Sequence, residues 1–517
     1  MSTATPGRTY ADAIDKLNTF QTPYAVIEAR RKAGIRPDAT SVREMRAYWA
    51  RLGHAPEDLD RLNVIHVAGT KGKGSVCAFV SSILSRYQAS PHGRPRRIGL
   101  LTSPHLIAVR ERIRIDSRPI SEDLFARYFF EVFDGLTNPG TGPGGAAAGL
   151  EVDDKVAAPG SVPIYARYLT LMAFHVFLRE GVDAAVVETG VGGEYDATNV
   201  VGRPLATGVT TLGVDHVFVL GDTVDKIAWH KAGIMKPGSP AFASEQPAFP
   251  EAERVLRERA VEKGLGGEES DGLRIVGVDE RLARSGVDVR PDAAFQRRNA
   301  SLAVALAETA LERLLPGGFK RDDGVLPAEF KDGIEQVVWR GRCEVKEDEG
   351  GRVRWHIDGA HTTDSLKVAA RWYTEECRAR RGPRVLIFNQ QGRTEAIDFL
   401  DGLHSGARRD DGSSFDAVIF CTNVTYATTG YKRDFVNLQD NPEAIKNLSV
   451  QRTFAERWSS LDPNAKVLVV PSIEEAINHT RDQTESLEEG EIVQAFITGS
   501  LHLVGGALGI LEGADAL

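Results

Sequence analysis

A glycine-rich segment at residues 69–75, GTKGKGS, carries two lysines and two hydroxyl side chains in an arrangement suited to holding phosphate. It follows an apolar run, Val64 to Val67, and precedes apolar residues that recur at helical spacing. In such a strand–loop–helix unit, glycines let backbone N–H groups turn towards phosphate, and the helix N-terminus adds positive potential. Lys73 would reach the outer phosphates. We therefore predict nucleotide binding, with a structural glycine turn as the alternative.

This segment, called the phosphate loop below, departs from the common pattern G-x-x-x-x-G-K-[ST] at two positions. Val67 stands where the first glycine is expected, and Gly74 separates Lys73 from Ser75. The flanking strand and helix still favour a nucleotide site over a structural turn, because an isolated glycine-rich turn would not require them.

Polar residues follow three further strand-like runs in the same half of the chain. They are Ser103 and His105 after 97–101, Glu188 after 183–187, and Asp215 and His216 after 205–212. In open parallel sheets, ligands bind outside the carboxyl ends of the strands. Mg²⁺ is held by carboxylates, other oxygens and water, so Glu188 is the strongest metal candidate. His216 is equally well explained as a hydrogen-bonded core histidine.

Other candidates are ambiguous on their own. Lys231 lies near the end of a helical stretch, where a cation is favourable without any catalytic role. In the second half, Asp358 and His361 follow a strand-like run and could face a ligand or shape a turn. Arg342 could grip phosphate or pair with a surface acid.

Alternating strands and helices predict an α/β fold of two domains. We expect a large P-loop domain over residues 1–338, with a mostly parallel sheet and an N-terminal helical cap over 10–60. A second, smaller Rossmann-like α/β domain is expected over 339–517. Ser121 and Asp222 are predicted helix N-caps. Residues 137–160 are predicted to be a flexible surface insertion without chemistry, and residues 264–272 a second, polar loop.

The composition is that of an ordinary globular enzyme. The chain has 517 residues, 42% hydrophobic and 26% charged, with a formal net charge of −9. That charge argues against a general nucleic-acid partner. Four scattered cysteines predict reduced thiols in a cytoplasmic compartment. We expect no membrane span and no signal peptide, and a mitochondrial form is left open.

A series of motifs in chain order resembles the folylpolyglutamate synthases of the eukaryotic type, within the Mur-ligase-like ATP-dependent amide ligases. The motifs cover most of the chain between residues 18 and 509. They are GTKGKGS (69–75), LLTSPHL (100–106), ERIRI (111–115), YLTLMAFHVF (168–177), VETGVGGEYDATN (187–199), LGVDHVFVLGDTVDKIAWHKAGIMKPG (212–238), IDGAH (357–361) and TGSLHLVGG (498–506).

The resemblance implies a tetrahydrofolylpolyglutamate synthase, an acid–amino-acid ligase of one-carbon metabolism. ATP would phosphorylate the terminal carboxylate of a folate, and L-glutamate would attack the acyl phosphate to give a γ-linked product. The second domain would close over the ATP and glutamate. The implied cofactors are ATP, Mg²⁺ and K⁺, and a monomer is expected.

Site residues also follow from the resemblance. Gly69, Thr70, Lys71, Gly72, Lys73, Gly74 and Ser75 would bind ATP, together with Asn299, Arg342, Asp358 and His361. Ser103, Glu188 and His216 would be magnesium ligands. Lys73, Lys231, His216, Asp358 and His361 would be catalytic, with Lys231 carbamylated. Tyr165, Arg167 and residues 103–106 could line the folate site.

Two positions depart from the family pattern. Arg340 replaces the proline of W-P-G-R, and Thr362 replaces an asparagine common after the D-G-A-H histidine. Neither change removes a proposed site residue. The alternatives are a dihydrofolate synthase or a bifunctional enzyme, a motion-coupled ATPase, and an inactive scaffold. The presence of Lys73, Glu188 and His216 argues against the scaffold.

Overall fold

The fold is given by a computed structural model, which describes residues 7–88, 95–138, 155, 157–266, 272–391, 396–409 and 412–517. The chain forms two compact units. The first comprises residues 1–20, 28–103 and 112–338, and the second comprises residues 21–27, 104–111 and 339–517. The second unit therefore includes two short segments that the sequence prediction placed in the first domain.

The described strands and helices alternate through both units, as predicted. The strands are β1 (Val64–Ala68), β2 (Ile98–Leu101), β3 (Ile113–Ile115), β4 (Arg118–Pro119), β5 (Ala184–Glu188), β6 (Ala206–Val209), β7 (Ala241–Ser244), β8 (Leu273–Val276), β9 (Glu344–Glu347), β10 (Val353–Ile357), β11 (Arg384–Phe388), β12 (Ala417–Cys421), β13 (Lys466–Val470) and β14 (Val493–Thr498).

Three of the helices lie near the N-terminal end of the chain, in the region predicted to be a helical cap. The helices are α1 (Tyr10–Asn18), α2 (Tyr24–Lys32), α3 (Thr40–Arg51), α4 (Lys73–Ser85), α5 (Glu122–Thr137), α6 (Tyr165–Arg179), α7 (Val217–Leu220), α8 (Val224–Lys231), α9 (Pro250–Glu262), α10 (Glu280–Arg284), α11 (Ala294–Leu314), α12 (Ala328–Glu335), α13 (Thr363–Cys377), α14 (Ala396–Gly406), α15 (Pro442–Lys446), α16 (Ser449–Leu461), α17 (Ile473–Asp482) and α18 (Leu501–Glu512).

The sheet of the first unit has eight strands in the order β4-β3-β2-β5-β1-β6-β7-β8. Six strands run parallel to one another, in the sheet order β2-β5-β1-β6-β7-β8. Strands β3 and β4 are antiparallel and extend the sheet beyond β2. Strand β1 lies between β5 and β6, and all five of its residues are buried. A parallel strand covered on both faces is expected to be continuously apolar, which explains the run that begins at Val64.

Helix α4 packs closely against α11 and α12 in the first unit. At Gly333 of α12 an added Cβ would lie 2.7 Å from the Cα of Ile83, so only glycine allows this approach. The close packing fixes the helix that follows the phosphate loop. It holds the N-terminus of α4 in place at the carboxyl end of β1.

The six-stranded sheet of the second unit has the order β13-β12-β11-β14-β10-β9. Five strands are parallel, and β9 is antiparallel to β10. Strand β14 lies between β11 and β10. Buried apolar residues cover both faces of this sheet in two clusters, one of which contains Ile107 from the short segment 104–111.

Some local predictions are confirmed and others are corrected. Ser121 caps α5, and its side chain accepts the N–H of Leu124. The N-cap of α8 is Thr223 rather than Asp222, because Thr223 has the extended backbone and accepts the N–H of Lys226. Asp222 instead pairs with the Lys226 ammonium at 2.8 Å. Strands β4, β7, β8 and β9 are short and were not predicted.

The predicted loops fall mostly outside the described residues, which omit 139–154, 156 and 267–271. Cys77, Cys343, Cys377 and Cys421 are free thiols. Within the described ranges, none of the helices combines the length and the apolar character needed to cross a bilayer.

Candidate active site

The four strand ends that carry candidate residues belong to neighbouring strands of the first sheet. In the order β2-β5-β1-β6, they lead into Ser103, Glu188, the phosphate loop and Asp215 respectively. Because these strands are parallel, their carboxyl ends meet at one edge. The sheet order therefore brings together the candidates that the sequence placed on separate strands.

Two glycines of the phosphate loop occupy positions that a side chain could not. An added Cβ at Gly69 would lie 1.8 Å from Thr210 Oγ1, and one at Gly72 would lie 2.3 Å from Asn299 Oδ1. Gly72 also has a φ of 88° and is the N-cap of α4. Because glycine has no Cβ, the loop can lie this close to Thr210 and Asn299.

The residues after β6 hold the phosphate loop from the other side. The N–H groups of Thr70 and Lys71 both donate to the carbonyl of Thr211 at 3.1 Å. The Thr210 hydroxyl donates to the carbonyl of Lys71 at 2.7 Å. Thr210 and Thr211 were not among the predicted site residues, because hydroxyl residues after a strand carry no specific signal in the sequence.

Asn299 lies against the phosphate loop, on α11. Its side chain is buried, faces Gly72, and donates to Gln296 Oε1 at 3.0 Å. The structure thus places this predicted nucleotide contact beside the loop, although 227 positions separate it from Gly72 in the chain.

Lys73 and Glu188 form an ion pair at the sheet edge where the carboxyl ends of the parallel strands meet. Lys73 Nζ lies 4.0 Å from Glu188 Oε1, and the N–H of Ser103 donates to Glu188 Oε2 at 3.1 Å. Glu188 is buried, with 6% of its surface exposed. The three predicted residues are therefore joined through one carboxylate.

Lys231 is buried at the end of α8, with its ammonium nitrogen 2.7 Å from the carbonyl oxygen of Gly69. Burial is the main cause that lowers the pKa of Lys231 well below its ordinary value. The positive charge of Lys73 lowers it further, while Asp215 and Asp196 act in the opposite direction. The neutral amine is consequently favoured far more than at an exposed helix end.

A polar clamp connects the loop after β5 to the turn after Lys231. Asn199 Nδ2 donates to the carbonyls of Glu194 at 3.0 Å and Gly233 at 3.1 Å. Asn199 Oδ1 accepts from Lys236 Nζ at 2.8 Å. Because Asn199 is also buried, these contacts fix the turn that follows Lys231 against the loop that follows β5.

His216 begins α7 in a left-handed conformation with a φ of 50°. Its N–H donates to Asp215 Oδ1 at 2.7 Å, and its side chain is 42% exposed. This exposure excludes the interpretation of His216 as a buried core histidine. The strained backbone is held by the preceding aspartate, which is itself buried.

In the second unit, Asp358 organises the turn after β10. Its Oδ2 accepts the N–H of Cys343 at 2.8 Å and its Oδ1 accepts the N–H of Ala360 at 2.9 Å. Burial raises the pKa of Asp358, and the guanidinium of Arg342 and these N–H donors oppose that rise. Asp358 therefore anchors the segment that carries Arg342.

Arg342 and His361 both contact the backbone of this turn. Arg342 Nη1 donates to the carbonyl of Gly341 at 3.0 Å, and it would lie 2.4 Å from a Cβ added at Gly359. His361 Nδ1 lies 2.9 Å from the carbonyl oxygen of Gly359. Since a carbonyl can only accept, His361 Nδ1 carries a proton, which gives Nε2 the lone pair in the neutral ring.

The predicted folate-lining residues have mixed surroundings. Arg167 pairs with Glu44 and donates to Ser41 Oγ at 2.8 Å. Tyr165 lies under the guanidinium of Arg112, 5.6 Å from the ring centroid. His105 Nε2 contacts the carbonyl of Asp434 at 2.9 Å within the second unit.

The donor set can be compared with what a metal requires. Within the described ranges, no group of three or more histidine, cysteine, aspartate or glutamate residues could hold a metal ion. Ser103, Glu188 and His216 include only one carboxylate. Such a set fits Mg²⁺ that arrives with a nucleotide, because phosphate oxygens and water then complete the coordination.

Comparisons with known proteins agree with this arrangement. A folylpolyglutamate synthase from Neurospora crassa is 65% identical over 518 residues, covering 99% of this chain and 93% of that protein. One from Candida albicans is 39% identical over 525 residues, covering 98% of this chain and 96% of that protein. No protein-family model matches the chain.

A solved structure shows the same fold at lower identity. Mycobacterium tuberculosis folylpolyglutamate synthase complexed with ADP superposes with a TM-score of 0.68 at 23% identity. The match covers 98% of this chain and all of that one. The predicted α/β fold with two mostly parallel sheets is confirmed.

Proposed function

Because the chain belongs to the folylpolyglutamate synthase family, an ATP-dependent ligase family, we propose that it adds L-glutamate in γ-linkage to tetrahydrofolate and its polyglutamates. The observation that carries this proposal is the cluster of Lys73, Glu188 and Lys231 around the backbone of the phosphate loop. A site of this composition is suited to neutralising and positioning phosphate.

The proposed reaction has two steps. The terminal carboxylate of the folate attacks the γ-phosphorus of ATP, which forms an acyl phosphate and releases ADP. The amine of glutamate then attacks the acyl carbon, and phosphate leaves from the tetrahedral intermediate. The loop N–H groups and Lys73 would hold the phosphates in line, and positioning of this kind supplies most of the acceleration in phosphoryl transfer.

Ser103, Glu188 and His216 would hold Mg²⁺, and the second family cofactor would be K⁺. Bound Mg²⁺ would supply charge neutralisation to the phosphates. Glu188 would hold Lys73 and the backbone of Ser103 in position beside the Mg²⁺ site, as its contacts with both groups support.

We also propose that Lys231 is carbamylated. Carbamylation joins a neutral amine to CO₂ and releases a proton, so the lowered pKa of Lys231 favours it. The modified side chain would keep an N–H for the carbonyl of Gly69 and would gain an anionic oxygen pair. Those oxygens could orient a metal or a phosphate.

The second unit would contribute Arg342, Asp358 and His361. We propose that Arg342 contacts phosphate and that Asp358 holds the Arg342 segment in place, as its two accepted N–H bonds support. Asn299 would contact the nucleotide from the side of Gly72. We propose a monomer that acts in the cytoplasm, consistent with four free cysteines.

The deciding experiment is an assay with ATP, Mg²⁺, labelled glutamate and either tetrahydrofolate or dihydropteroate. We expect glutamate addition to tetrahydrofolate, and a loss of at least about a thousandfold in Lys73→Met. Lys226→Met, which removes an exposed lysine of the same unit, is the matched control. Activity on dihydropteroate alone would instead make the protein a dihydrofolate synthase, and near-normal turnover in Lys73→Met would contradict the phosphate-loop assignment.

A further inference from the structure

A concentration of positive charge lies on the surface next to the proposed site. Residues 28–36, EARRKAGIR, contain four basic side chains and one acidic one, although the chain as a whole has a net charge of −9. All four basic residues, Arg30, Arg31, Lys32 and Arg36, are exposed. Arg31 pairs with Glu28 at 2.7 Å, whereas Arg30 and Lys32 form no ion pair with any other described residue.

Two of these arginines are held against an aromatic ring. The guanidinium carbons of Arg31 and Arg36 each lie 5.8 Å from the ring centroid of Phe218. An aromatic face orders a guanidinium without neutralising it, because the interaction leaves the N–H groups at the edge of the guanidinium plane able to bind anions. The ring of Phe218 therefore positions both guanidinium groups at the surface, and Arg31 also pairs with Glu28.

Phe218 connects this basic surface to the proposed site at the carboxyl ends of the strands. It lies in α7, two residues after His216, and the flanking Val214 and Val217 are 49% and 43% exposed. Lys71 of the phosphate loop lies close to Gly213, its Nζ 3.9 Å from a Cβ added there. The surface from the phosphate loop through His216 to Arg36 is thus continuous within the first unit.

This inference rests on the proposed function, which repeatedly produces a longer anionic substrate. Each added glutamate leaves one α-carboxylate on the chain, while the reacting terminal carboxylate must lie beside Lys73. The earlier carboxylates must then lie outside the phosphate site. Arginine in a preorganised pair is well suited to binding carboxylates.

We propose that Arg31 and Arg36, ordered by Phe218, bind α-carboxylates of the poly-γ-glutamate tail and so favour substrates that already carry several glutamates. The bound group is the anionic tail rather than the pteridine ring, because the surface presents positive charges. The ring of Phe218 packs against the two arginines and serves only to order them. The two arginines are specificity residues and take no part in the chemical step.

The test compares tetrahydrofolate carrying one glutamate with tetrahydrofolate carrying five, in wild type and in the double variant Arg31→Gln/Arg36→Gln. We expect kcat/KM for the pentaglutamate to fall about three- to tenfold, mainly through KM, as expected for two exposed ion pairs. The monoglutamate value should change less than about twofold. Higher salt should reduce the wild-type preference for the longer substrate, because exposed charges are screened.

Arg284→Gln/Arg290→Gln is the matched control, since it removes two exposed arginines elsewhere in the first unit. If the ratio of kcat/KM for the pentaglutamate to kcat/KM for the monoglutamate is unchanged in the Arg31/Arg36 variant, the proposal is overturned, whether both values stay the same or fall equally. Monoglutamate turnover by the variant reports that it is folded. Absence of turnover by wild type on either substrate would instead count against the proposed function, so the two failures are separable.

Discussion

At the residue scale, Lys231 has the surroundings that most restrict its chemistry. It is buried, it donates to the carbonyl of Gly69, and its pKa is lowered chiefly by burial and next by Lys73. A permanently charged lysine would be costly at this position. A neutral amine or its carbamate is consistent with the environment, which the sequence pattern of a helix end did not reveal.

We expect Lys231→Ala to lower glutamate addition by about a hundredfold or more, because an anionic group beside the phosphate loop would be lost. Small carboxylates such as acetate should partly restore activity if the lysine acts as a carbamate. The measurement is initial rate against carboxylate concentration, with Lys226→Ala as control. Full activity in Lys231→Ala would exclude any role for this side chain.

The roles of individual residues were most predictable where the residue types and their spacing have few explanations other than a ligand site. The lysine and glycines of the phosphate loop could be assigned from their pattern, and their surroundings fit that assignment. Asn199, Lys236 and Thr210 were missed as contributors, because their roles arise from hydrogen bonds to groups that are distant in sequence. Such contacts leave no periodicity to detect.

At the element scale, the tight junction of the phosphate loop with α11 can be tested through Gly72. We expect Gly72→Ala to lower the free energy of unfolding by about 1 kcal/mol more than Gly181→Ala. Both glycines have positive φ, 88° and 68°, but an added Cβ meets Asn299 only at Gly72, with open space at Gly181. Urea unfolding gives the stability difference.

Nucleotide binding by the same two variants separates strain from function. Gly72→Ala should weaken ATP binding about tenfold, since Asn299 or the loop backbone must move, and Gly181→Ala should leave it unchanged. Calorimetric titration with a non-hydrolysable ATP analogue provides the measurement. Equal affinities in the two variants would mean that the loop adapts freely.

The segment that follows α3 is joined to α6 through a histidine pair that predicts acid sensitivity. His54 Nε2 lies 2.9 Å from His175 Nδ1, and the His54 ring stacks on Trp49 with a centroid distance of 4.2 Å. Burial, followed by the influence of His175, lowers the pKa of His54 from 6.5 to about 4. The folded state therefore binds a proton at His54 less readily than the unfolded state does.

As the pH falls from about 6.5 to about 4, the unfolded state gains this proton first and the folded state loses stability. We expect the free energy of unfolding of His54→Asn to decline about 2 kcal/mol less than that of wild type between pH 7 and pH 4.5. Urea unfolding at a series of pH values measures this difference. Parallel declines in the two proteins would show that His54 keeps an ordinary pKa.

The elements themselves were largely predictable, because most strands and helices have clear apolar periods. The strand-like runs at 97–101, 183–187 and 205–212 correspond to β2, β5 and β6, and the cap of α5 was recognised from Ser121. Strands β8 and β9 were missed because they lie at sheet edges, are only partly buried and mix apolar with charged residues. Strand β7 was missed because its sequence, AFAS, consists mostly of small residues. The neighbour order of the strands was not predictable, since pairing depends on long-range packing.

At the scale of the whole molecule, the second unit depends on segments from the first part of the chain. Gln21 Nε2 donates to the carbonyl of Val436 at 2.7 Å, and the N–H of Val109 donates to Asp434 Oδ1 at 2.8 Å. The sequence assigned both segments to residues 1–338, because contacts across several hundred residues cannot be read from local patterns. The assignment of functions to the two units stays a proposal.

Ile107 tests this dependence, because it is fully buried in the core cluster that contains Trp355. We expect Ile107→Ala to destabilise the second unit by about 2–4 kcal/mol and Ile107→Val by about 1 kcal/mol. Denaturant unfolding followed by tryptophan fluorescence reports it, since Trp355 and Trp458 are buried in this unit. A negligible effect of Ile107→Ala would contradict the packing of 104–111 in that core.

The strand order of the second sheet also has a consequence for biosynthesis. Strand β14, which joins β11 to β10, is the last strand of that sheet to leave the ribosome, after all five others. Until then β10 and β11 each present an unpaired edge, and exposed edges invite pairing with other chains. The nascent second unit is therefore expected to need chaperone protection until residues 493–498 emerge and close the sheet from its middle.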